Sequence, residues 1–185
     1  MFFKATVLQP TSGRLTTLKV SIDLGFDLWF NDVSLILDRD MLATTDTLKV
    51  GQSIIIKVRE LDYQAGLFYL DELIDDKSFL YNYPVKEVLR VVDGDTLKVE
   101  LDLGINKLTH RTTLRLANID AYELKDPNGK GLEAKEFIES LIKDCKSDHI
   151  RVDITHYDKY RRSLAFVYIK GQQLNTLLLE NGYCK

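Results

Sequence analysis

A nine-residue phrase occurs twice in this chain. Thr17-Leu18-Lys19-Val20-Ser21-Ile22-Asp23-Leu24-Gly25 aligns without a gap with Thr96-Leu97-Lys98-Val99-Glu100-Leu101-Asp102-Leu103-Gly104, 79 residues later, and seven of the nine positions are identical. The correspondence continues where Leu35-Ile36-Leu37 falls on Leu114-Arg115-Leu116. Further on, Ile56-Lys57-Val58 up to Asp62 fits Val152-Asp153-Ile154 up to Asp158 at a spacing of 96. The 17 extra residues in the second copy are about the length of one helix. The simplest account is an internal duplication of a small β-domain with the helix reduced or absent in the first copy, the alternative being a chance resemblance of alternating strands. A chain of 185 residues is long enough for each copy to bury a core.

The domains expected from this pattern are a degenerate β-barrel over 1–72, a linker over 73–84 and a larger domain over 85–185. In the second half, Val88 to Val92 and Leu97 to Leu103 alternate as strands, joined by Asp93-Gly94-Asp95. Asp-Gly is a hairpin signal because it tolerates the positive φ of tight turns. Thr109 to Ile119 reads as a third strand. From Leu132 the apolar residues Ala134, Phe137, Ile138, Leu141, Ile142 and Cys145 recur at helical spacing. Strand character returns at His149 to Thr155 and Leu164 to Ile169, and a last helix carries Leu174, Leu177 and Leu178 and stops near Gly182. Five strands with a helix between the third and fourth predict an OB-type barrel with helices, a mainly β (α+β) fold used for nucleic acid.

Charge places the chemistry in the second copy. The net charge is −3, which argues against binding nucleic acid by bulk electrostatics alone. Residues 1–80 carry 8 Lys+Arg against 12 Asp+Glu, while residues 81–185 carry 17 against 16. Phosphate contacts are therefore expected to be local and C-terminal, which leaves packing against the second domain or recognition of a protein partner as uses for the acidic N-terminal domain. Charge at Lys4 and turn formers at Pro10 to Gly13 leave no room for the apolar core of a signal peptide, and no apolar run is long enough to cross a bilayer. A cytoplasmic protein with no membrane partner is expected. Cys145 and Cys184 lack metal-ligand spacing, which suits reduced thiols. His110, His149 and His156 lie on strands without local partner spacing.

Four places interrupt the apolar pattern of the second copy. Asp93 and Asp95 bracket the first turn; Arg115 sits in the third strand; Asp120 and Glu123 follow at its exit; Arg162 opens the fifth strand. Singly, each has an ordinary structural explanation: a turn, a solvated strand residue, a helix cap, a surface loop. Together they supply what phosphodiester hydrolysis requires. Two carboxylates at adjacent strand ends can hold a hard cation such as Ca²⁺, two arginines can grip a phosphate, and a third carboxylate can orient or deprotonate water.

These residues resemble the staphylococcal nuclease (thermonuclease) family from about Val85 to Lys185. The resemblance rests on Asp93-Gly94-Asp95-Thr96, on Leu114-Arg115-Leu116-Ala117-Asn118-Ile119-Asp120-Ala121-Tyr122-Glu123, and on Asp158-Lys159-Tyr160-Arg161-Arg162. It implies that Asp95 and Asp120 bind calcium with the main-chain carbonyl of Ala121. Glu123 is then the general base, Arg115 and Arg162 bind the scissile phosphate, and Lys159 and Tyr160 contact a terminal phosphate. Asn175 matches a buried structural asparagine. The implied activity is a calcium-dependent endonuclease acting on DNA, RNA or both and leaving 3′-phosphate ends; the alternative is a non-catalytic OB module that binds nucleic acid or a protein. The sequence departs from the family at Tyr122 (usually proline), Ala121 (threonine) and Arg161 (glycine), and in a shorter loop from Leu124 to Lys130. It ends at Lys185, ahead of the family's third helix, so base stacking is expected to suffer more than chemistry.

Overall fold

The computed structural model describes residues 2–10, 17–38, 41–42, 45, 47–62, 67–74, 81–105, 107–146 and 149–185. They form two compact units, Met1–Tyr81 and Asn82–Lys185. The first contains β1 (Phe2–Gln9), β2 (Thr17–Asp23), β3 (Trp29–Ile36), β4 (Ser53–Asp62) and β5 (Leu67–Ile74), closed into a barrel in the order β1-β2-β3-β5-β4. The second has β6 (Tyr81–Val91), β7 (Thr96–Asp102), β8 (Thr109–Leu116), helix α1 (Lys130–Lys143), β9 (Ile150–Tyr157), β10 (Ser163–Ile169), the short β11 (Gln172–Gln173) and helix α2 (Leu174–Glu180). Its strands run β10-β8-β7-β6-β9, and the pairing of β9 with β10 closes the barrel. In both units the third and fifth strands pair in parallel and the other described ladders are antiparallel.

Alternation explains why each sheet closes. On β7, Leu97, Val99 and Leu101 point inward and are buried, and on β10 Ala165, Val167 and Ile169 do the same. Helix α1 lays Gly131, Ala134 and Ile138 on the barrel, with Phe137, Leu141, Ile142 and Cys145 half-buried beside them. Leu132, at the start of the expected helix, is exposed because it lies off that stripe. At the end of α2, Gly182 takes φ 72°. There Tyr183 N donates to Leu178 O and Gly182 N to Leu179 O, the pair of bonds that stops a helix at a left-handed residue.

The repeated phrase folds alike in both units. Thr17 pairs with Ile36 and Leu18 with Leu35, as Thr96 pairs with Arg115 and Leu97 with Leu114. Gly25 (φ 69°) and Gly104 (φ 71°) turn the chain, and each donates its N–H to the aspartate two residues earlier at 2.8 Å. Ile36 therefore stands in the register position of Arg115. Thr16 and Ala65-Gly66, the expected counterparts of Asp95 and Arg161-Arg162, lie outside the described residues, as do residues 75–80 of the expected linker. In place of α1, the first unit shows helical backbone at Met41, Leu42 and Thr45. Among the described residues, no helix is long and apolar enough to cross a membrane.

Candidate active site

Asp95 enters the site through a bend rather than the left-handed turn expected of Asp-Gly. Gly94 does not have a left-handed φ. It is glycine because a Cβ there would lie 2.8 Å from the Ala121 Cβ and 2.9 Å from the Ala134 Cβ. The bend is thus pressed against both the exit of β8 and helix α1. Asp93 Oδ1 accepts the Asp95 N–H at 3.1 Å, and the Asp95 carbonyl accepts Leu116 N–H at 2.8 Å.

The Asp95 carboxylate is buried and fully engaged. Its Oδ2 accepts from Ala121 N at 2.9 Å and pairs with Arg115 Nη1 at 2.8 Å, while Oδ1 accepts from Thr96 Oγ1 at 3.0 Å. Burial pushes this carboxyl above its ordinary value and outweighs the opposing pull of the Ala121 N–H and the Arg115 charge. Arg115 is itself only 16% exposed. Its Nη1 also donates to Ile119 O at 3.1 Å, and its Nη2 pairs with Asp120 Oδ1 at 3.1 Å. One guanidinium therefore joins two carboxylates from the two ends of the expected metal site.

Ala121 is buried and forms an isolated bridge with Cys184. The bonds of that bridge are Tyr122 N to Tyr183 O and Lys185 N to Asp120 O, so neither uses the Ala121 carbonyl. The bridge also brings Lys185 Nζ to 3.8 Å from Asp120 Oδ2. Burial, then the charges of Asp95 and Asp120, push the Cys184 thiol up. Sequence spacing gave no signal for Cys184 or Lys185, which reach the site from the far end of the chain. Glu123 is exposed, and its carboxylate has no hydrogen bond or ion pair among the described residues. Its main chain is held firmly, because Gly131 packs so close that a Cβ there would meet Glu123 O at 2.0 Å.

Arg162, Lys159 and Tyr160 belong to a loop organised by Asp158. Asp158 Oδ1 accepts from Tyr160 N at 2.8 Å and Arg162 N at 2.9 Å, and Oδ2 pairs with Arg162 Nε at 2.6 Å. Burial would raise the Asp158 carboxyl, but these hydrogen bonds overcome it and hold the group below its ordinary value. Asp158 belongs to the sequence signature, but its part as the anchor of Arg162 emerges only from the loop geometry. The Arg162 guanidinium and the Lys159 ammonium lie 5.4 and 5.0 Å from the Tyr160 ring centre. Tyr160 is 68% exposed. Arg161, at the position where glycine is common, adopts φ 61°, the conformation glycine takes without a Cβ penalty. Parallel pairing of Leu164 with Arg115 sets this loop beside the exit of β8. Asn175, 3% exposed, ties the frame together: it accepts from Val167 N and donates to Ala117 O and Ala165 O.

His110 and His156 lie on β8 and β9, and His149 immediately precedes β9. Among the described residues no group of three or more His, Cys, Asp or Glu is arranged to hold a metal.

Residues 113–185 match the family model described as staphylococcal nuclease homologue. Thermonuclease of Staphylococcus hyicus is 27% identical over 146 residues, covering 77% of this chain and 79% of that protein. The SPbeta prophage-derived endonuclease YokF of Bacillus subtilis (strain 168) is 32% identical over 100 residues, 52% of this chain and 32% of YokF. Endonuclease YncB of the same organism is 30% identical over 100 residues, 52% of this chain and 44% of YncB. The match thus spans less than half of either Bacillus protein. The matched family model, the similarity to thermonuclease and the closed five-stranded barrel with its two helices agree in likening the second unit to the staphylococcal nuclease family.

Proposed function

We propose that this chain is a calcium-dependent endonuclease that hydrolyses phosphodiester bonds of DNA, RNA or both and leaves 3′-phosphate ends. The observation that carries this reading is the Arg115 guanidinium spanning Asp95 and Asp120. It sets two hard-oxygen donors and a planar phosphate-binding group side by side. The relatives named thermonuclease and endonuclease support the same reaction class.

The donor set fits Ca²⁺. The carboxylates of Asp95 and Asp120 and the carbonyl of Ala121 are oxygen ligands of the kind this ion takes, and the carboxylates already converge on a cationic group. When bound, the ion supplies Lewis-acid polarisation of a phosphoryl oxygen. Arg115 and Arg162 hold the scissile phosphate and stabilise charge that develops on it. Asp158 fixes Arg162 through Nε and leaves its terminal nitrogens for phosphate. Glu123, exposed at the exit of the site, orients water and takes its proton. Lys159 and Tyr160 receive a terminal phosphate.

Cleavage of an end-labelled oligonucleotide with Ca²⁺ and with EDTA tests this, and phosphatase treatment of the products reads their 3′ ends. Cleavage is expected with Ca²⁺ only, and Asp95→Asn and Asp120→Asn should lose it while keeping their circular dichroism. Wild-type rates in either variant, or cutting in EDTA, would refute the assignment. Binding without cutting would favour the non-catalytic OB module.

A further inference from the structure

At the far end of β10 from Arg162, the second unit has a cavity of about 710 Å³. That is the size of a site for a nucleotide-sized ligand. Its distance from Arg162, counted along the strand at 3.3 Å per residue, is roughly 20–25 Å. It is therefore separate from the phosphate clamp.

Its walls carry a cationic and aromatic chemistry. Arg151, exposed on β9, donates through Nε and Nη2 to Asn82 Oδ1, and Asn82 Nδ2 donates to Asp153. This relay occupies the nearest acid with a neutral amide and fixes the guanidinium by one edge, leaving its Nη1 donors for another acceptor. Tyr168 is cross-strand from Arg151 and half-buried, with its hydroxyl tethered by Gln173 Nε2 at 3.3 Å. Lys170 and Gly171 form the two-residue turn between β10 and β11, both in left-handed conformation at φ 50° and 81°. The turn lifts the exposed Lys170 to the rim beside His149, whose carbonyl accepts the Lys170 N–H; the Lys170 ammonium gives one hydrogen to Asp144 O at 2.8 Å and keeps two for another acceptor. A Cβ at Gly171 would meet nothing within 4 Å, so the mouth is open.

Strand alternation joins this cavity to the clamp. Leu164, Phe166 and Tyr168 share one parity on β10 and are half-buried while the residues between them are buried, and Arg162 and Lys170 flank the strand at its two ends. A line of apolar and aromatic side chains thus runs along β10 with a cation at each end. An aromatic line with a cation at each end suits a single nucleic-acid strand, whose bases stack while its phosphates meet the charges.

We propose that the cavity formed by Asn82, Arg151, Tyr168 and Lys170 is an accessory binding site for single-stranded nucleic acid. It takes a phosphate on Arg151 and Lys170 and a base on Tyr168, several nucleotides from the bond held at Arg162. This deepens the nuclease reading and rests on it for its substrate class.

The test is fluorescence anisotropy of a labelled single-stranded oligonucleotide long enough to span β10, in EDTA so that binding is read without cleavage. Tyr168→Ala is expected to weaken binding about tenfold, within the range for loss of one stacked base. Lys170→Glu should weaken it and lower the salt slope by about 0.7 per lost phosphate contact. Tyr168→Phe should bind like the wild type, which separates stacking from misfolding. A short oligonucleotide that reaches only the clamp should bind all variants equally. With Ca²⁺, Lys170→Glu should raise KM on the long strand and leave kcat unchanged. Equal affinity of wild type, Tyr168→Ala and Lys170→Glu for the long strand would overturn the proposal even if the protein cleaves. A loss confined to these variants in a protein that never cuts would uphold the site and refute the nuclease.

Discussion

Gly131→Ala should destabilise the second unit although it replaces glycine with the best helix former. Gly131 lies in the first turn of α1 and is buried, with a right-handed helical neighbourhood that alanine fits. In an open helix the change would stabilise by about 0.5–1 kcal/mol. Here the new methyl carbon would lie 2.0 Å from Glu123 O, 2.4 Å from Glu123 C and 2.6 Å from Tyr122 O. All three are main-chain atoms, so no side chain can swing aside. Either α1 or the 120–123 segment has to move by roughly 1 Å, and forcing a methyl into a packed site costs about 1–3 kcal/mol. The net loss should be about 1–2 kcal/mol, a fall in Tm of roughly 4–15 °C for a unit of this size. Calorimetry or hydrogen exchange at the amides of α1 should follow it. Tryptophan emission would not, since the single tryptophan, Trp29, is in the first unit. Ca²⁺-dependent cleavage should fall as well, because the main chain that must yield carries Glu123. A Gly131→Ala protein as stable as the wild type, or more so, would refute the argument that close packing requires this glycine.

Two further outcomes follow from the ionic contacts. The Glu100 carboxyl is drawn down to about 2 by Lys86 and then Arg111, from an ordinary 4.5; its contribution to stability is therefore present above about pH 4.5 and lost as pH falls towards 2. Glu100→Gln should flatten that acid limb in urea melts taken between pH 5 and 2, and an unchanged limb would show that other carboxylates set it. Arg162→Lys should lose most cleavage although it keeps the charge, because lysine cannot pair with Asp158 at Nε and grip phosphate with a planar fork at once; near-wild-type rates would make the role purely electrostatic.

The strands and helices were legible because alternation and helical periodicity are local. Leu97, Val99 and Leu101 announce an inward face whatever strand they meet. Arg115 and Asp120 were legible as site candidates because they interrupt such a face. What sequence could not supply was approach between distant segments. Asp-Gly at 93–94 suggested a conformational need, whereas the structure shows a steric one, set by Ala121 and Ala134. Gly131 lies just ahead of the helical periodicity that begins at Leu132 and gave no local signal; the structure shows that the carbonyl of Glu123 packs against it. Lys185 and Cys184 reach the acidic pair only through the bridge to Ala121, a contact that no local pattern encodes.

The two barrels separate what makes the fold from what makes the chemistry. The turn at Gly25 and Gly104 keeps its aspartate cap in both, because any barrel that reverses there needs a left-handed residue and a partner for its N–H. The one marked difference within the repeated phrase is Ser21 against Glu100, and both are buried polar groups. Ser21 donates to Asn31, the third residue of β3, while Glu100 pairs with Arg111, the third residue of β8, and with Lys86. Each unit has changed the buried group together with its cross-strand partner, as it must if neither is to be left unsatisfied. No such constraint protects the position of Arg115, whose partners Asp95 and Asp120 lie outside the ladder. Isoleucine occupies the same register at Ile36 with the same half-buried setting and leaves the first barrel closed. The framework therefore holds with isoleucine at that register, and what sets arginine apart at 115 is its pairing with Asp95 and Asp120.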